Sequence, residues 1–371
     1  MKICYVITRA DEVGGAQVHV RDLAELAQKN GHRVLVIVGE RGLFEQQLKM
    51  LGIDVKIVTS LQRKISLIKD ICALYALYRE FKKFDPDIIT LHSSKAGIIG
   101  RLAAILSRHN TIFTAHGWSF ADGIEGKKKS FYITVERFFS KYTNQIITVS
   151  EQDKKLAIEH KVSCDKKQIV IHNGIKELYR SHQVKKSSEK VSLIMVARFS
   201  EQKDHETLLK ALANLKDLNW ELNLVGKGKL ESKYMEFSNE VGISEKVNFL
   251  GQRDDVDILL SNSDIFLLIS HWEGYPLSTL EAMRARLPVI VSDVGGNNEA
   301  IKQGVNGYLI ERKDIEGLTK VLRTLINDKS LREKLGDYNI KEFQEKHTVE
   351  KMYAKTLSVY QTCSKNNRVN L

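Results

Sequence analysis

Short apolar runs alternate with helix-forming stretches along the whole chain, and this alternation limits the possible folds more than any other feature. Short uninterrupted apolar runs are typical of strands that are buried on both faces of a sheet. Strands separated by helices predict parallel sheets with right-handed crossovers. One series of predicted strands lies near 3–7, 34–38, 55–58, 88–91, 112–114, 146–149 and 169–171, and a second lies near 191–196, 222–225, 247–250, 265–269, 289–291 and 308–310.

A polar stretch at 181–190 separates the two series and lacks apolar periodicity. We interpret it as a linker, since a chain of 371 residues is long enough for two domains. The sequence therefore predicts an α/β protein with an N-terminal domain at 1–180 and a C-terminal domain at 181–348. The remaining segment, 349–371, begins with a predicted helix.

Two glutamates eight positions apart carry the strongest functional signal. Glu273 falls in the turn after a predicted strand, and Glu281 falls about one turn into the next helix, which Pro276 is suited to begin. Open α/β sheets bind ligands at the carboxyl ends of their strands. Free amides at a helix start suit a diphosphate, and carboxylates accept hydrogen bonds from hydroxyls. The pattern predicts a sugar nucleotide, although Glu281 taken alone is more simply explained by the helix dipole.

Other candidate residues follow predicted strands in the same way. Arg198 and Lys203 come after the first strand of the second domain. Arginine offers a planar set of hydrogen-bond donors and lysine a mobile point charge, and this combination suits a diphosphate. Judged by charge alone, the two residues fit a solvated loop equally well. Gly226 follows the next strand, where glycine allows close approach or simply a tight turn. Gly14 and Gly15 open a helix without the Gly-x-Gly-x-x-Gly spacing of nicotinamide sites.

Together these segments resemble the retaining glycosyltransferases of family 4 (group 1), of the type that builds bacterial capsular and surface polysaccharides. The resemblance is carried by the Glu-x7-Glu motif of Glu273 and Glu281, by 198–204, by 288–299 and by 14–16. It implies the GT-B fold, in which two Rossmann-like parallel-sheet domains face each other across a cleft. It further implies that the first domain binds the acceptor, that the second binds the nucleotide sugar, and that the last helix crosses back to the first domain.

The resemblance also implies roles for individual residues. Arg198 and Lys203 would bind the donor diphosphate, Glu273 the transferred sugar and Glu281 the ribose. His116 would contact the donor sugar near the reaction centre, although a lone histidine is more often structural. The implied catalytic set is Arg198, Lys203, Glu273 and His116, and the implied donor-binding set is Gly14, Gly15, Arg198, Lys203, Gly226, Arg253, Glu273, Gly274, Tyr275, Pro276, Leu277, Ser278 and Glu281.

The expected reaction moves a sugar from a UDP-sugar to a polyprenyl-diphosphate-linked sugar or another glycan, with an N-acetylated deoxysugar among the donor hypotheses. No cofactor and no metal are expected, because Arg198 and Lys203 can stabilise the leaving diphosphate themselves. A sugar-nucleotide epimerase or hydrolase of the same fold is an alternative. So is a catalytically silent sugar-nucleotide-binding subunit, although the intact set of charged residues argues against silence.

The positive charge is concentrated in the first half of the chain. The net charge is +10 for residues 1–180 and +1 for 181–371, which predicts an anionic partner for the first domain. The absence of zinc-finger spacing or an RNA-binding aromatic signature disfavours nucleic acid, so an anionic membrane surface or a lipid diphosphate is expected. The basic, aromatic segments 63–84 and 127–142 fit either amphipathic helices at a membrane or helices packed on a sheet.

The expected location is the cytoplasm, with peripheral association at the inner face of the cell membrane. The apolar run at the start is too short for a signal peptide, and no later run approaches the roughly 18 residues of a membrane span. The scattered positions of Cys4, Cys72, Cys164 and Cys363 predict reduced thiols. The His92–Lys95 segment, at another predicted strand end, is a further hypothetical acceptor site.

Overall fold

A computed structural model describes residues 1–121, 126–178 and 189–365. The chain divides into two compact units. Unit 1 comprises Met1–Lys176 and Val349–Leu371, and unit 2 comprises Glu177–Thr348. Most of the predicted linker, 181–188, lies outside the described residues.

Unit 1 is built around a parallel sheet of seven strands. The strands are β1 (Lys2–Ile7), β2 (Arg33–Val38), β3 (Asp54–Ile57), β4 (Ile88–His92), β5 (Thr111–Ala115), β6 (Gln145–Thr148) and β7 (Gln168–Val170). Their order across the sheet is β3-β2-β1-β4-β5-β6-β7, and every pairing is parallel. The order reverses between β1 and β4, which places the ligand-binding edge of such a sheet at the carboxyl ends of these two strands.

Seven helices belong to unit 1 within the described residues. They are α1 (Gly15–Lys29), α2 (Leu43–Met50), α3 (Leu67–Phe84), α4 (Ser94–Ser107), α5 (Gly126–Ser140), α6 (Glu151–Glu159) and, from the end of the chain, α14 (Val349–Lys365). A parallel sheet must be covered on both faces. Buried side chains of α14, at three- and four-residue spacing, join α1 and β1 in one hydrophobic core; they include Val349, Met352, Tyr353, Val359, Tyr360 and Cys363.

Unit 2 contains a parallel sheet of six strands. The strands are β8 (Val191–Val196), β9 (Trp220–Val225), β10 (Val247–Gly251), β11 (Ile265–Leu268), β12 (Val289–Ser292) and β13 (Gly307–Ile310). Their order is β10-β9-β8-β11-β12-β13, again with parallel pairing throughout. The prediction of two parallel sheets is therefore confirmed. Here the order reverses between β8 and β11.

Seven α-helices of unit 2 lie within the described residues, and three of them have a side-chain cap. They are α7 (His205–Ala213), α8 (Glu231–Glu240), α9 (Val256–Ser261), α10 (Leu277–Arg284), α11 (Asn297–Ala300), α12 (Ile315–Asn327) and α13 (Lys329–Lys346). Asp204, Asp314 and Asp328 each accept a hydrogen bond from an amide in the first turn of the helix that follows. Such caps satisfy amides that have no partner inside the helix. Among the described helices, none combines the length and hydrophobicity that a membrane span requires.

Candidate functional site

The loops that follow β8 and β11 are joined to each other at the carboxyl edge of the unit 2 sheet. The amide of His271 donates to the carbonyl of Gln202 at 2.8 Å. Lys203 and Ser270 form an antiparallel bridge. Both segments that were predicted to bind phosphate and sugar hydroxyls therefore start from neighbouring strand ends, at the point where the strand order reverses.

Lys203 and Glu273 form an ion pair inside this joined loop region. Their side chains are 12% and 6% exposed. The second carboxylate oxygen of Glu273 lies 3.4 Å from Nε2 of Gln202, which also donates to the carbonyl of Trp272 at 2.7 Å. A nearly buried carboxylate is thus held by a cation and an amide. The two predicted ligand-binding charges neutralise each other in this structure.

Arg198 differs from Lys203, because no residue that the structure describes pairs with its charge. It is exposed, and within the described parts of the chain its side chain makes no hydrogen bond or ion pair. Burial of the neighbouring Phe199, which is 1% exposed, anchors the loop beneath it. An anchored loop with an available guanidinium at a strand end is suited to bind an anion.

The backbone of Glu273 is fixed from the loop after β12. Gly295 has a φ of +59°, and a Cβ atom at this position would lie 2.0 Å from the carbonyl oxygen of Glu273. The next amide, of Gly296, donates to the carbonyl of Gly274 at 2.6 Å. Only glycine fits at 295, because both the left-handed conformation and the close approach exclude a side chain.

Gly226 is required by a second close backbone contact. Its φ is +144°, and a Cβ atom would lie 2.1 Å from the carbonyl oxygen of Ala197. A Cβ atom at Gly228 would lie at the same distance from the carbonyl oxygen of Phe199. The turn after β9 therefore packs directly on the loop that carries Arg198. In the structure, the close approach that glycine allows here is to the protein's own backbone.

The start of α10 supplies amides rather than side chains. Pro276 is the N-cap, with extended backbone geometry, and no side chain caps the helix that begins at Leu277. Tyr275 is 4% exposed, and its hydroxyl lies 3.4 Å from Nδ1 of His347. Burial raises the pKa of Tyr275 far above its usual value, so it is a neutral packing residue. Leu277 and Ser278 are half-buried at the helix start, where uncapped amides favour an anion.

Glu281 borders a different space from Glu273. It lines a cavity of about 560 Å³ whose other walls include α9, α13 and the residues just before β11 and β12. Those residues mark the amino-terminal edge of the sheet, and Glu273 does not line this cavity. Arg284 and Arg332 are also among the residues that line it. Glu281 also lies one turn after the uncapped helix start at Leu277, which is the end of α10 that follows Glu273.

Arg253, which was predicted to line the nucleotide base, is held by its neighbour. Its guanidinium makes a two-point contact with Asp255, at 2.8 and 2.7 Å, and its side chain is 45% exposed.

Asp255 belongs to one of two Asp-x-Asp tripeptides in the chain, at 85–87 and 255–257. All four carboxylates have protein partners: Asp85 has His109, Asp87 the amide of Lys2, Asp255 has Arg253 and Asp257 has Arg284.

In unit 1, the predicted glycine pair lies at the amino end of α1. Gly14 is the N-cap and its amide donates to Oε1 of Gln17 at 3.2 Å, while the helix begins at Gly15. Both glycines are exposed. The exposed amino end of a 15-residue helix is a suitable place for a phosphate.

His116, at the end of β5, belongs to a cluster of three histidines. Its Nε2 lies 3.1 Å from Nδ1 of His92, which ends β4. Its ring centre lies 4.7 Å from that of His19 on α1, nearly edge-on at 82°. Nδ1 of His19 lies 3.0 Å from Oδ1 of Asn173. These residues meet at the carboxyl edge of the sheet, where the order of strands reverses.

All three imidazoles are neutral at physiological pH. Burial lowers the pKa of His19 to about 4. Burial and the neighbouring imidazoles lower the pKa of His92 and of His116 well below the usual value. Their ligating atoms lie within 4.8 Å of one another, so the cluster has the composition of a transition-metal site. The expectation that the reaction needs no metal remains a prediction.

Comparison with known proteins identifies the family. A model of the group 1 glycosyltransferases matches residues 177–342, and a model of glycosyltransferase family 4 matches 13–177. An Escherichia coli UDP-Gal:alpha-D-GlcNAc-diphosphoundecaprenol alpha-1,3-galactosyltransferase is 34% identical over 74% of this chain and 75% of its own. The chain belongs to the group 1, family 4 glycosyltransferases.

Further relatives agree with this family and with the fold. The O-antigen biosynthesis glycosyltransferase WbnH of Escherichia coli is 30% identical over 84% of this chain and 86% of its own. Among solved structures, Anabaena HepE in complex with UDP aligns with a TM-score of 0.84 at 20% identity, over 98% of this chain and 100% of its own. The GT-B fold predicted for this glycosyltransferase is therefore confirmed.

Replacing Gly295 with alanine should displace the turn that carries Glu273. The substitution combines a left-handed backbone with a clash against a carbonyl oxygen, and we expect a loss of about 2–3 kcal/mol in the free energy of unfolding. Gly304→Ala is the matched control, because Gly304 has a φ of +72° but nothing within 4 Å of its Cβ position. The control should lose about 1 kcal/mol. Chemical denaturation measures both, and equal losses would contradict the proposed contact.

Proposed function

We propose that this glycosyltransferase moves a sugar from a UDP-sugar to a sugar carried on a polyprenyl diphosphate, in the assembly of a bacterial surface polysaccharide. The observation that carries the proposal is the Lys203–Glu273 ion pair, whose side chains are 12% and 6% exposed, in the loop region that also carries the exposed Arg198. On this proposal, Arg198 and Lys203 are the two cations for a diphosphate and Glu273 is the carboxylate for sugar hydroxyls. The galactosyltransferase relative, by its name, uses UDP-galactose and a diphosphoundecaprenol-linked sugar, which supports both substrate classes.

The ion pair suggests how the donor is recognised. A UDP-sugar brings a diphosphate for Lys203 and hydroxyls for Glu273, so it can replace the partner of each side chain when the pair separates. UDP alone satisfies Lys203 and leaves a carboxylate that is 6% exposed without its cation, which is unfavourable. On this proposal the site favours the intact donor over the product nucleotide.

The chemical step is proposed to rest on electrostatic stabilisation. Arg198 and Lys203 stabilise the charge that develops on the departing diphosphate. Glu273 holds the transferred sugar, Glu281 the ribose, and His116 contacts the donor sugar. We assign no protein nucleophile, and we propose retention of the anomeric configuration without a metal. The amides at the start of α10 and of α1 add donors for phosphate oxygens.

Release of UDP that depends on a lipid acceptor tests the reaction. UDP-galactose with membrane lipid carrying a diphosphate-linked N-acetylhexosamine is the first substrate pair to assay, followed by other UDP-sugars. We expect UDP release to require the acceptor, to persist in excess EDTA, and to fall at least thirtyfold in Arg198→Ala, as removal of one transition-state contact commonly costs about 2–4 kcal/mol. Arg323→Ala, at an exposed arginine paired with Asp217, is the matched control.

The outcome separates the possible activities. Conversion of a UDP-sugar without acceptor would indicate an epimerase or hydrolase, and binding without turnover of any donor would indicate a silent subunit. Loss of activity in EDTA, with recovery on adding a divalent ion, would contradict metal independence.

The two glutamates should respond differently to UDP. Glu281→Ala should weaken UDP binding about ten- to a hundredfold, the size expected for one carboxylate–hydroxyl contact of roughly 1.5–3 kcal/mol. Glu273→Gln should bind UDP at least as tightly as the natural chain, because Lys203 loses the carboxylate that competes with phosphate, while turnover of the UDP-sugar falls. Calorimetric titration of UDP into both variants measures this. Weaker UDP binding only in Glu273→Gln would reverse the assigned roles.

We also propose that unit 1 docks on an anionic membrane through α3. One side of this helix is buried, with Ala73, Leu77 and Phe81 in the core. The opposite side exposes a stripe formed by Leu67, Ile68, Ile71 and Tyr75, which are 76%, 77%, 57% and 63% exposed. The spacing i, i+1, i+4, i+8 places these four side chains on one face of the helix. The buried face packs on the sheet, and on this proposal the exposed face contacts the membrane, so the two alternatives from the sequence are compatible.

Charge complementarity supports an anionic bilayer as the partner. Arg63, Lys64 and Lys69 are exposed at the start of the stripe, and Ile65, 83% exposed, extends its apolar surface. On α5, the basic run 127–129 precedes Phe131, which is 59% exposed. Apolar side chains flanked by basic residues are typical of helices that lie in a membrane interface. This contact would place the enzyme at the inner face of the cell membrane, where a lipid-linked acceptor is available.

Charge introduced into the stripe should prevent membrane binding. Full burial of one such aliphatic side chain contributes roughly 1.5–3 kcal/mol, so Ile68→Glu with Ile71→Glu should lower sedimentation with phosphatidylglycerol vesicles at least tenfold. Met235→Glu with Tyr338→Glu is the matched control, since both residues are exposed in unit 2, at 46% and 47%. Equal partitioning of the stripe variant and the natural chain would contradict the docking surface. Binding of the vesicles to this surface should also weaken with added salt, which screens the basic residues.

A further inference from the structure

A chain of buried polar groups connects α14 to the ring of His116. The hydroxyl of Tyr360 donates to Oγ1 of Thr90 at 3.3 Å. That oxygen lies 2.9 Å from Nε2 of His92, and Nδ1 of His92 lies 3.1 Å from Nε2 of His116. Tyr360 is 1% exposed, and Thr90 and His92 are completely buried. Each link must therefore be satisfied by the next one rather than by solvent.

The donor at the start of the chain determines the direction of the other hydrogen bonds. Thr90 accepts the proton of Tyr360, so its own O–H is available to donate to Nε2 of His92. A neutral imidazole carries one proton, and with Nε2 accepting, that proton lies on Nδ1 of His92. His92 then donates to Nε2 of His116. The remaining proton of His116 lies on Nδ1.

The opposite direction leaves a buried donor unsatisfied. If Nε2 of His92 donated to Thr90, the Thr90 hydroxyl would accept from both neighbours and would need another acceptor for its own proton. In the described part of the chain its side chain has no partner besides Tyr360 and His92. An unsatisfied buried hydroxyl costs about 1–3 kcal/mol. The direction from Tyr360 towards His116 is therefore favoured.

The ring of His116 is also held from the side. Oδ1 of Asn173 can only accept, so His19 donates from Nδ1 and its ring is fixed. The His19 and His116 rings meet edge-on with centres 4.7 Å apart. Rotation of the His116 ring would displace both this contact and the hydrogen bond from His92.

We propose that Tyr360, Thr90 and His92 are positioning residues that hold His116 as the Nδ1–H tautomer, with Nδ1 as the proton donor it offers to an oxygen of the donor sugar. The proposal rests on the proposed function in assigning His116 to that sugar. It gives the last helix of the chain a part in the reaction, because the series of directed hydrogen bonds begins at the Tyr360 hydroxyl. It also gives a role to His92, which the sequence connected only with a hypothetical acceptor site.

Nitrogen-15 NMR of the histidine rings tests the tautomer without substrate, with His116→Asn used to assign the signals. We expect His116 to carry its proton on Nδ1 in the natural chain and to become a mixture of tautomers in Tyr360→Phe. Tyr353→Phe is the matched control: it removes a hydroxyl from the same helix, and this hydroxyl is buried without a hydrogen-bond partner in the described residues. Its spectrum should match that of the natural chain.

Kinetics connect the tautomer to the reaction. Tyr360→Phe should lower kcat about three- to tenfold, the effect of weakening one hydrogen bond, with KM for the acceptor unchanged, and Tyr353→Phe should not change either value. A proton on Nε2 of His116 in the natural chain, or an unchanged tautomer in Tyr360→Phe, overturns the proposed chain. Full activity of His116→Asn overturns the part of His116 in the reaction instead, and the NMR result distinguishes that failure from the first.

Discussion

The functional edges of both units depend on one constraint, which is that all strands of each sheet run in the same direction. Every loop that follows a strand then leaves from the same edge, and neighbouring strands bring together residues that are distant in sequence. In unit 2 this joins Lys203 to Glu273. In unit 1 it joins His92 to His116. In both sheets the participating loops follow strands at or next to the reversal of strand order, where the diverging helices leave space for a ligand.

Buried polar groups need partners, and the two units meet this requirement differently. Unit 2 pairs opposite charges, so a charged or hydroxyl-bearing ligand could replace either side chain as the partner of the other. Unit 1 keeps its imidazoles neutral and connects them through directed hydrogen bonds, because burial makes a protonated ring unfavourable. The first arrangement suits a charged diphosphate. The second suits hydroxyl and ring oxygens of a sugar, for which a fixed donor is more selective than a charge.

Sequence patterns located the strands and the turn of Glu273 because these depend on local apolar runs and on helix starts. They did not indicate that Tyr275 is buried against His347 or that Gly226 is required by the carbonyl of Ala197. Such contacts join separate loops and leave no periodic signal. His19 and His92 were missed as partners of His116 for the same reason. The rule that neighbouring parallel strands end together could have suggested His92, since β4 lies next to β5.

The Lys203–Glu273 pair also bears on the end of the proposed reaction cycle. On the proposed scheme, UDP is still bound to Lys203 when the sugar has left. Glu273 has then lost the sugar hydroxyls that had taken the place of Lys203 as its partner. A carboxylate that is 6% exposed is then strongly drawn back to Lys203, since an unpaired buried charge is costly. Re-formation of the pair would compete directly with the phosphate for Lys203. In the proposed cycle, the ion pair that separates when the donor binds would therefore favour release of the product, and the same two side chains would act in both steps.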